Sequence, residues 1–166
     1  MAAHPIRLLG DPVLRMKAHK VTKIDESIRR LVADMIDSMY AAHGVGLAAP
    51  QIGVPLRVIV IGLPDEEPFA LINPEIVKKE GRRMVDEGCL SIPGYRAKVP
   101  RSVTVVARGL TLDGKLRRIK ASAKRGDEKE ALLAQALEHE VDHINGILYI
   151  DHLDSLDRLV KVREVE

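Results

Sequence analysis

The sequence has no tryptophan, and Tyr40, Phe69, Tyr95 and Tyr149 are its only aromatic residues among 166. Its core must therefore be built from aliphatic side chains. A protein that stacks nucleic-acid bases on aromatic platforms is excluded, and no direct nucleic-acid readout is expected. Cysteine occurs once, as Cys89, which rules out a disulfide scaffold. Long hydrophobic runs are missing as well. The densest aliphatic stretch, Val58 to Ile61, is far too short to span a bilayer, so no membrane partner is expected. The opening residues MAAHPIRLLGDPVLR hold no long apolar segment of the secretory type. The expected location is cytoplasmic, where a lone thiol stays reduced and free to bind metal. Neither sign of charge dominates: 26 Lys and Arg face 24 Asp and Glu, a balance that names no partner. Internal repeats and low-complexity tracts are also absent.

What is present suits a globular chain. Hydrophobic residues make up 46%, too many for a disordered protein. A chain of this length buries roughly 70% of its unfolded surface and needs no covalent staples. Ile28, Leu31, Val32, Met35, Ile36, Met39 and Tyr40 recur at helical spacing, with Asp25 or Ser27 as the cap and Gly44 as the stop. Residues 44–55, GVGLAAPQIGVP, suit neither a long helix nor a regular strand. Strands are expected at Leu56 to Ile61, at Phe69 to Ile72 closed by Asn73-Pro74, and at Arg82 to Val85. Val103 to Ala107 and Leu116 to Ala121 read as a hairpin around Asp113-Gly114. A second helix runs from about Lys129 to Ile144 and stops at Asn145-Gly146. A short strand at Ile147 to Ile150 and a short helix from Asp154 to Arg163 complete the expectation. The pattern is α+β: small, mostly antiparallel or mixed sheets packed around a central helix.

That second helix carries His139-Glu140-Val141-Asp142-His143. Residues four apart share a helical face, so both imidazoles can reach one ion. Glu140 can lean over a water on that ion and take its proton. A catalytic site needs a third protein ligand and an open position. The downstream candidates are Asp151, His152 and Asp154. Upstream stands Cys89, preceded by Gly88, which lets backbone approach closely, and a thiolate is a natural partner for two imidazoles. Three readings remain open on these residues. They are a hydrolase with a cysteine ligand, a zinc endopeptidase using His152, and a binding protein whose four-ligand metal is structural.

Three segments together resemble peptide deformylase: Gly44-Val45-Gly46-Leu47-Ala48-Ala49-Pro50-Gln51-Ile52-Gly53, Glu87-Gly88-Cys89-Leu90-Ser91 and His139-Glu140-Val141-Asp142-His143. The arm from Pro5 to Arg15 is similar too, and the likeness runs from about residue 5 to residue 153. It implies one catalytic domain over 1–166 that removes the formyl group from N-formyl-methionine on newly made polypeptides. By motif match, Cys89, His139 and His143 would hold the metal, usually Fe(II), with Zn, Ni or Co as substitutes. Glu140 would be general base and then acid. Gln51 and the backbone N–H of Leu90 would hold the oxyanion. Val45, Gly46 and Gly88 would meet an extended peptide backbone. Ile92, Leu132, Gln135 and Ala136 would line the methionine pocket, and Arg96 would stand near the peptide's exit. Plain core packing is the competing expectation for the aliphatic residues, and a solvated surface charge for Arg96.

A metal-bound imidazole needs an acceptor for its other nitrogen. Asp142 points away from the histidine face and is expected to pair with Arg101, while Glu87 is expected to orient the Gly88–Leu90 turn. Three positions depart from the family pattern: Glu138 where Gln is commoner, Lys20 where proline is common, and a longer loop at 122–130. A nascent-chain substrate also makes the ribosome surface a possible partner, reached through Ser155 to Lys161.

Overall fold

Alternating side chains on a strand point to opposite faces, so a run that is apolar at every position belongs in a sheet covered on both sides. Val58-Ile59-Val60-Ile61 is such a run, and all four residues are fully buried. In the computed structural model, which describes residues 2–162, Val58 and Val60 pack toward the first helix. Ile59 and Ile61 pack toward the second.

The first helix, α1, spans Glu26–Ala41 and the second, α2, spans Glu128–Ile144. Asp25 caps α1, its Oδ1 accepting from Ser27 N at 3.0 Å and Ile28 N at 3.3 Å. α1 ends earlier than Gly44. The left-handed residue at its exit is His43, with φ 58°, while Gly44 is small because a Cβ there would stand 2.7 Å from Leu90 Cδ1. Asp127 caps α2 in the same way as Asp25 caps α1. Gly146 turns the chain after α2 at φ 75°, a conformation that suits glycine.

Five strands form one antiparallel sheet in the order β1-β2-β3-β6-β7. They are β1 (Gly46–Ala48), β2 (Val58–Ile61), β3 (Phe69–Glu80), β6 (Thr104–Leu110) and β7 (Leu116–Ser122). A second antiparallel sheet has the order β4-β5-β8, from Arg83–Cys89, Ile92–Arg101 and Val160–Lys161. α2 lies on the five-stranded sheet, with Ala134, Leu137, Val141 and Ile144 against Ile59, Leu71, Val105, Ala107 and Ala121. Val85, Ile92, Ala97 and Val99 of the smaller sheet close over Leu148 and Tyr149. The α+β reading with a central motif-bearing helix stands.

Several local expectations do not. Asn73-Pro74 does not end β3. Asn73 takes φ 52° at a bulge, and its amide grips Val21 through both backbone groups, at 2.8 and 2.9 Å, so the strand continues to Glu80. β4 runs on past Val85 to Cys89. β5 was not foreseen, because Pro93 and Pro100 disguise it, yet both fall in a strand with a partner on each side. Residues 147–150 are not a strand. Tyr149–His152 form a 3-10 turn, held where Asp151 Oδ2 accepts from Leu148 N at 2.9 Å. The helix expected over 154–163 is replaced by a turn at Leu156–Arg158 followed by β8, and residue 163 lies outside the described residues. The loop expected around 122–130 is the connection from β7 to α2, at 123–127.

Candidate active site

Gly46–Ala48 is short because Pro50 stops it, and the chain then tightens into a 3-10 turn over Ala49–Ile52. That turn places Gln51, 1% exposed, beside the end of β4. Gln51 Oε1 accepts from Ala48 N at 3.0 Å, and its Nε2 faces Ser91 Oγ at 3.2 Å and Cys89 Sγ at 3.7 Å. The oxygen thus secures the loop, and the amide nitrogen is turned toward Cys89 and Ser91.

A register shift between Glu87 and Cys89 breaks the β4 ladder and turns Cys89 inward. Its Sγ lies 3.3 Å from His143 Nε2, which lies 3.1 Å from His139 Nε2. These three atoms fall within 4.8 Å of one another, and they are the one such cluster among the described residues. Burial pushes His143 well below its ordinary pKa, aided by the neighbouring His139. Burial would lower His139 too, but the carboxylates of Glu140 and Glu87 and the Cys89 thiol outweigh it and raise it. Two buried imidazole nitrogens and a sulfur aimed at one point repel unless a proton or a cation sits between them. The donor set thus fits a divalent metal with an open position.

Behind the cluster runs a chain of charges. His139 Nδ1 donates to Glu87 Oε2 at 2.7 Å, which leaves Nε2 directed at the cluster. Arg101, 3% exposed, donates to Glu87 Oε1 at 3.0 Å and Oε2 at 2.5 Å, and to Asp142 Oδ2 at 2.7 Å. His152 Nε2 meets the same Asp142 oxygen at 2.8 Å. The Asp142–Arg101 pairing is as expected. Glu87 does more than orient a turn: it is the acceptor for a cluster histidine. His152 is spent on Asp142 and takes no part in the cluster, which removes the basis for a downstream ligand. Glu138 is buried, and its Oε1 accepts from Ser102 N at 2.6 Å, so it anchors the backbone just past β5.

A cavity of about 380 Å³ opens over the cluster, lined by Val45, Gly46, Gln51, Gly88, Cys89, Leu90, Ile92, Arg96, Leu132, Gln135, His139 and Glu140. Ala136 is not in its wall; it belongs to the core between α2 and the sheet. Tyr95 and Val162 line the cavity too. Their signal was hidden with β5 and β8. Arg96 sits at the mouth, donating to Asp86 Oδ2 at 3.0 Å. Glu140 is 4% exposed, and its Oε1 has no hydrogen-bond partner among the described residues. Burial pushes its carboxyl up to about 7 in the metal-free chain. Gly46 is packed against it, since a Cβ there would stand 2.6 Å from Glu140 Oε2. Gly46→Ala is accordingly expected to displace the Glu140 carboxylate, lowering turnover at least tenfold with metal content unchanged. Full turnover in this variant would show that the contact is slack.

The sequence matches the polypeptide deformylase family over residues 3–159. It is 54% identical over 163 residues to the peptide deformylase of Dehalococcoides mccartyi strain CBDB1, covering 98% of this chain and 93% of that protein. The crystal structure of a peptide deformylase from Legionella pneumophila is 43% identical. It superposes with a TM-score of 0.86 over 95% of this chain and 89% of that one. The peptide deformylase of Synechococcus elongatus, crystallised in complex with actinonin, is 38% identical with a TM-score of 0.84, over 92% and 80% of the two chains. With a thiol and two imidazoles converging beneath a buried carboxylate, in the three segments whose sequence first suggested it, this chain belongs to the polypeptide deformylase family.

Proposed function

We propose that metal-dependent hydrolysis of the N-terminal formyl group takes place in the cavity above Cys89, His139 and His143, with these three residues as the metal ligands. The chain removes the formyl group from N-formyl-methionine on newly made polypeptides and releases formate. The observation that carries the site assignment is the cluster itself, with Glu140 beside it, its Oε1 without a hydrogen-bond partner among the described residues. A divalent cation held there supplies Lewis acidity, making water a better nucleophile near neutral pH and the formyl carbon a better electrophile.

The residues of the chain do the rest. Glu140 accepts the proton of the attacking water and then delivers it to the amine nitrogen as the carbon–nitrogen bond breaks, leaving formate and a free N-terminus. Charge gathers on the formyl oxygen as water adds. Gln51 Nε2 and the Leu90 N–H donate to it without titrating. β1 ends the five-stranded sheet, so its second edge is open for an extended peptide to pair with Val45 and Gly46. Ile92, Leu132 and Gln135 take the methionine side chain, and Arg96 meets the departing peptide.

Fe(II) is the proposed physiological ion, with Zn, Ni and Co able to replace it. The proposed location is the cytoplasm, and no helix among the described residues is long and apolar enough to cross a membrane. Formate release from a formyl-Met-Ala-Ser peptide, by protein purified without oxygen and loaded with Fe(II), tests the activity. No release with metal bound would overturn the reading. Cys89→Ala is expected to lose most bound metal, whereas His152→Ala keeps it. The reverse pattern, read by elemental analysis, would restore the downstream ligand. A ribosome contact is also proposed, although the helix that first suggested it is not formed.

A further inference from the structure

The two edges of the five-stranded sheet differ in kind. β1, at one edge, is Gly46-Leu47-Ala48, without charge, and opens on the cavity. β7, at the other, lies in a stretch from Gly114 to Gly126 that holds Lys115, Arg117, Arg118, Lys120, Lys124 and Arg125 and not one carboxylate. All six cations are exposed. Lys115, Arg118 and Arg125 have no ion-pair partner among the described residues. Lys124 reaches Glu80 only at 4.0 Å. Arg117 is held with its guanidinium 4.4 Å from the centre of the Phe69 ring.

The neighbouring elements extend this stripe. The pairing Arg108↔Arg118 sets a further guanidinium beside it. A cleft at one end of β7 is lined by Lys20, Arg57 and Arg108 together with Leu116, and one at the other end by Lys120, Lys124 and Arg125. Of the bordering carboxylates, Glu75 pairs with Arg108, Glu80 with Lys78, Glu130 accepts from Ser122 N and Asp127 caps α2, while Asp113 stands exposed in the turn before Gly114. Seven strand residues span about 20 Å at roughly 3.3 Å each. Charges on an edge strand also deter unwanted pairing, but one or two serve that end, and of either sign. Six of one sign with no interruption complement a polyanion.

We propose that the β7 edge, with the clefts at its two ends, docks the phosphate backbone of double-helical RNA. Guanidinium groups suit phosphate, which they can bind through two parallel hydrogen bonds. The stretch from Gly114 to Gly126 contains no aromatic residue, so the surface reads backbone and shape rather than bases. Choosing RNA over an acidic protein rests on the nascent-chain reading above, since such substrates emerge from an RNA-rich particle. The surface lies at the opposite sheet edge from the strand that borders the cavity, which allows binding and hydrolysis together.

The test uses the full chain and a fluorescent 16-base-pair RNA duplex. Binding is expected to weaken steeply with salt, at about 0.9 log units per log unit of salt for each phosphate contacted. Arg118→Gln/Lys120→Gln/Lys124→Gln/Arg125→Gln is expected to lose on the order of 100-fold in affinity at about 50 mM KCl and to flatten the slope by up to about 3.6. Formate release from the free tripeptide and the melting temperature should not change. The double variant Arg118→Gln/Lys120→Gln should fall between. Lys17→Gln/Lys23→Gln/Arg29→Gln/Arg30→Gln removes the same charge elsewhere and should lose less than about threefold. Equal losses in the two quadruple variants, or polyglutamate binding as tightly as the duplex, would overturn the proposal. Because the tripeptide assay does not involve this surface, failure here and failure of the deformylase reading are distinguishable.

Discussion

Glu140→Ala is expected to abolish measurable formate release while the metal stays bound. A positioned general acid–base group contributes on the order of 10²–10⁴-fold, and Glu140 is asked to act twice in one turnover. Its environment supports that use. The side chain is 4% exposed, one carboxylate oxygen has no partner among the described residues, and burial raises its pKa to about 7. A carboxyl near neutrality both takes and returns a proton at little cost. A cation beside it would favour the charged form and draw the value back down. Glu140→Gln keeps the volume and removes the proton relay, so it should be as inactive as the alanine variant. Since Glu140 is outside the Cys89–His139–His143 cluster, elemental analysis should find near-full metal occupancy in both variants. Activity within tenfold of the wild type would assign the proton transfers elsewhere. Loss of metal would make Glu140 a ligand.

The second large effect is expected at Arg101, which is not in the cavity wall. Arg101 is buried against Glu87 and Asp142, and Glu87 in turn holds His139. Arg101→Leu leaves the buried Glu87 and the half-buried Asp142 without their shared cation. Breaking such a pair costs about 3–5 kcal/mol, a drop in melting temperature on the order of 10 °C for a chain of this size. Metal affinity should fall about 10–100-fold, because the acceptor that orients His139 is no longer held. Acid stability carries a matching signature. Burial alone would raise the Glu87 pKa, but His139 and Arg101 outweigh it and bring it from 4.5 to about 2. A carboxylate depressed in the folded state contributes stability that is complete above about 4.5 and is lost as pH falls toward 2. In Arg101→Leu that contribution shrinks, so acid unfolding should begin at a higher pH. Unchanged melting and metal content would show that the Glu87–Arg101–Asp142 chain is dispensable.

The site was legible where chemistry demands a fixed spacing. His139 and His143 had to share a face, because four residues make about one helical turn, and Glu140 had to follow. Cys89 was legible only through its flanking glycine and the likeness of its segment to a known family. The Glu87 contact is not legible, since nothing local says that a carboxylate two residues before a cysteine will meet a histidine 52 positions later. His152 looked available for metal until its partner Asp142 was in view.

The fold divides along the same line. Helix α1 and the β6–β7 hairpin follow from periodicity, an Asp cap and an Asp-Gly turn, all interactions within a few residues. β5 carries two prolines, and β3 passes through Asn73-Pro74. Each is a strand only because distant segments supply the missing constraints: β4 and β8 flank β5, and Val21 clasps the Asn73 amide. The chain end from 154 to 162 has weak helical periodicity but finds an open edge on β5, and backbone hydrogen bonds there outweigh a marginal isolated helix. The sequence by itself therefore determined the candidate ligand types, the helix that carries two of them, and the aliphatic core. Only the tertiary structure decided which charges stand behind those ligands, which strands close the cavity, and which sheet edge is left cationic, because those depend on contacts between residues far apart along the chain.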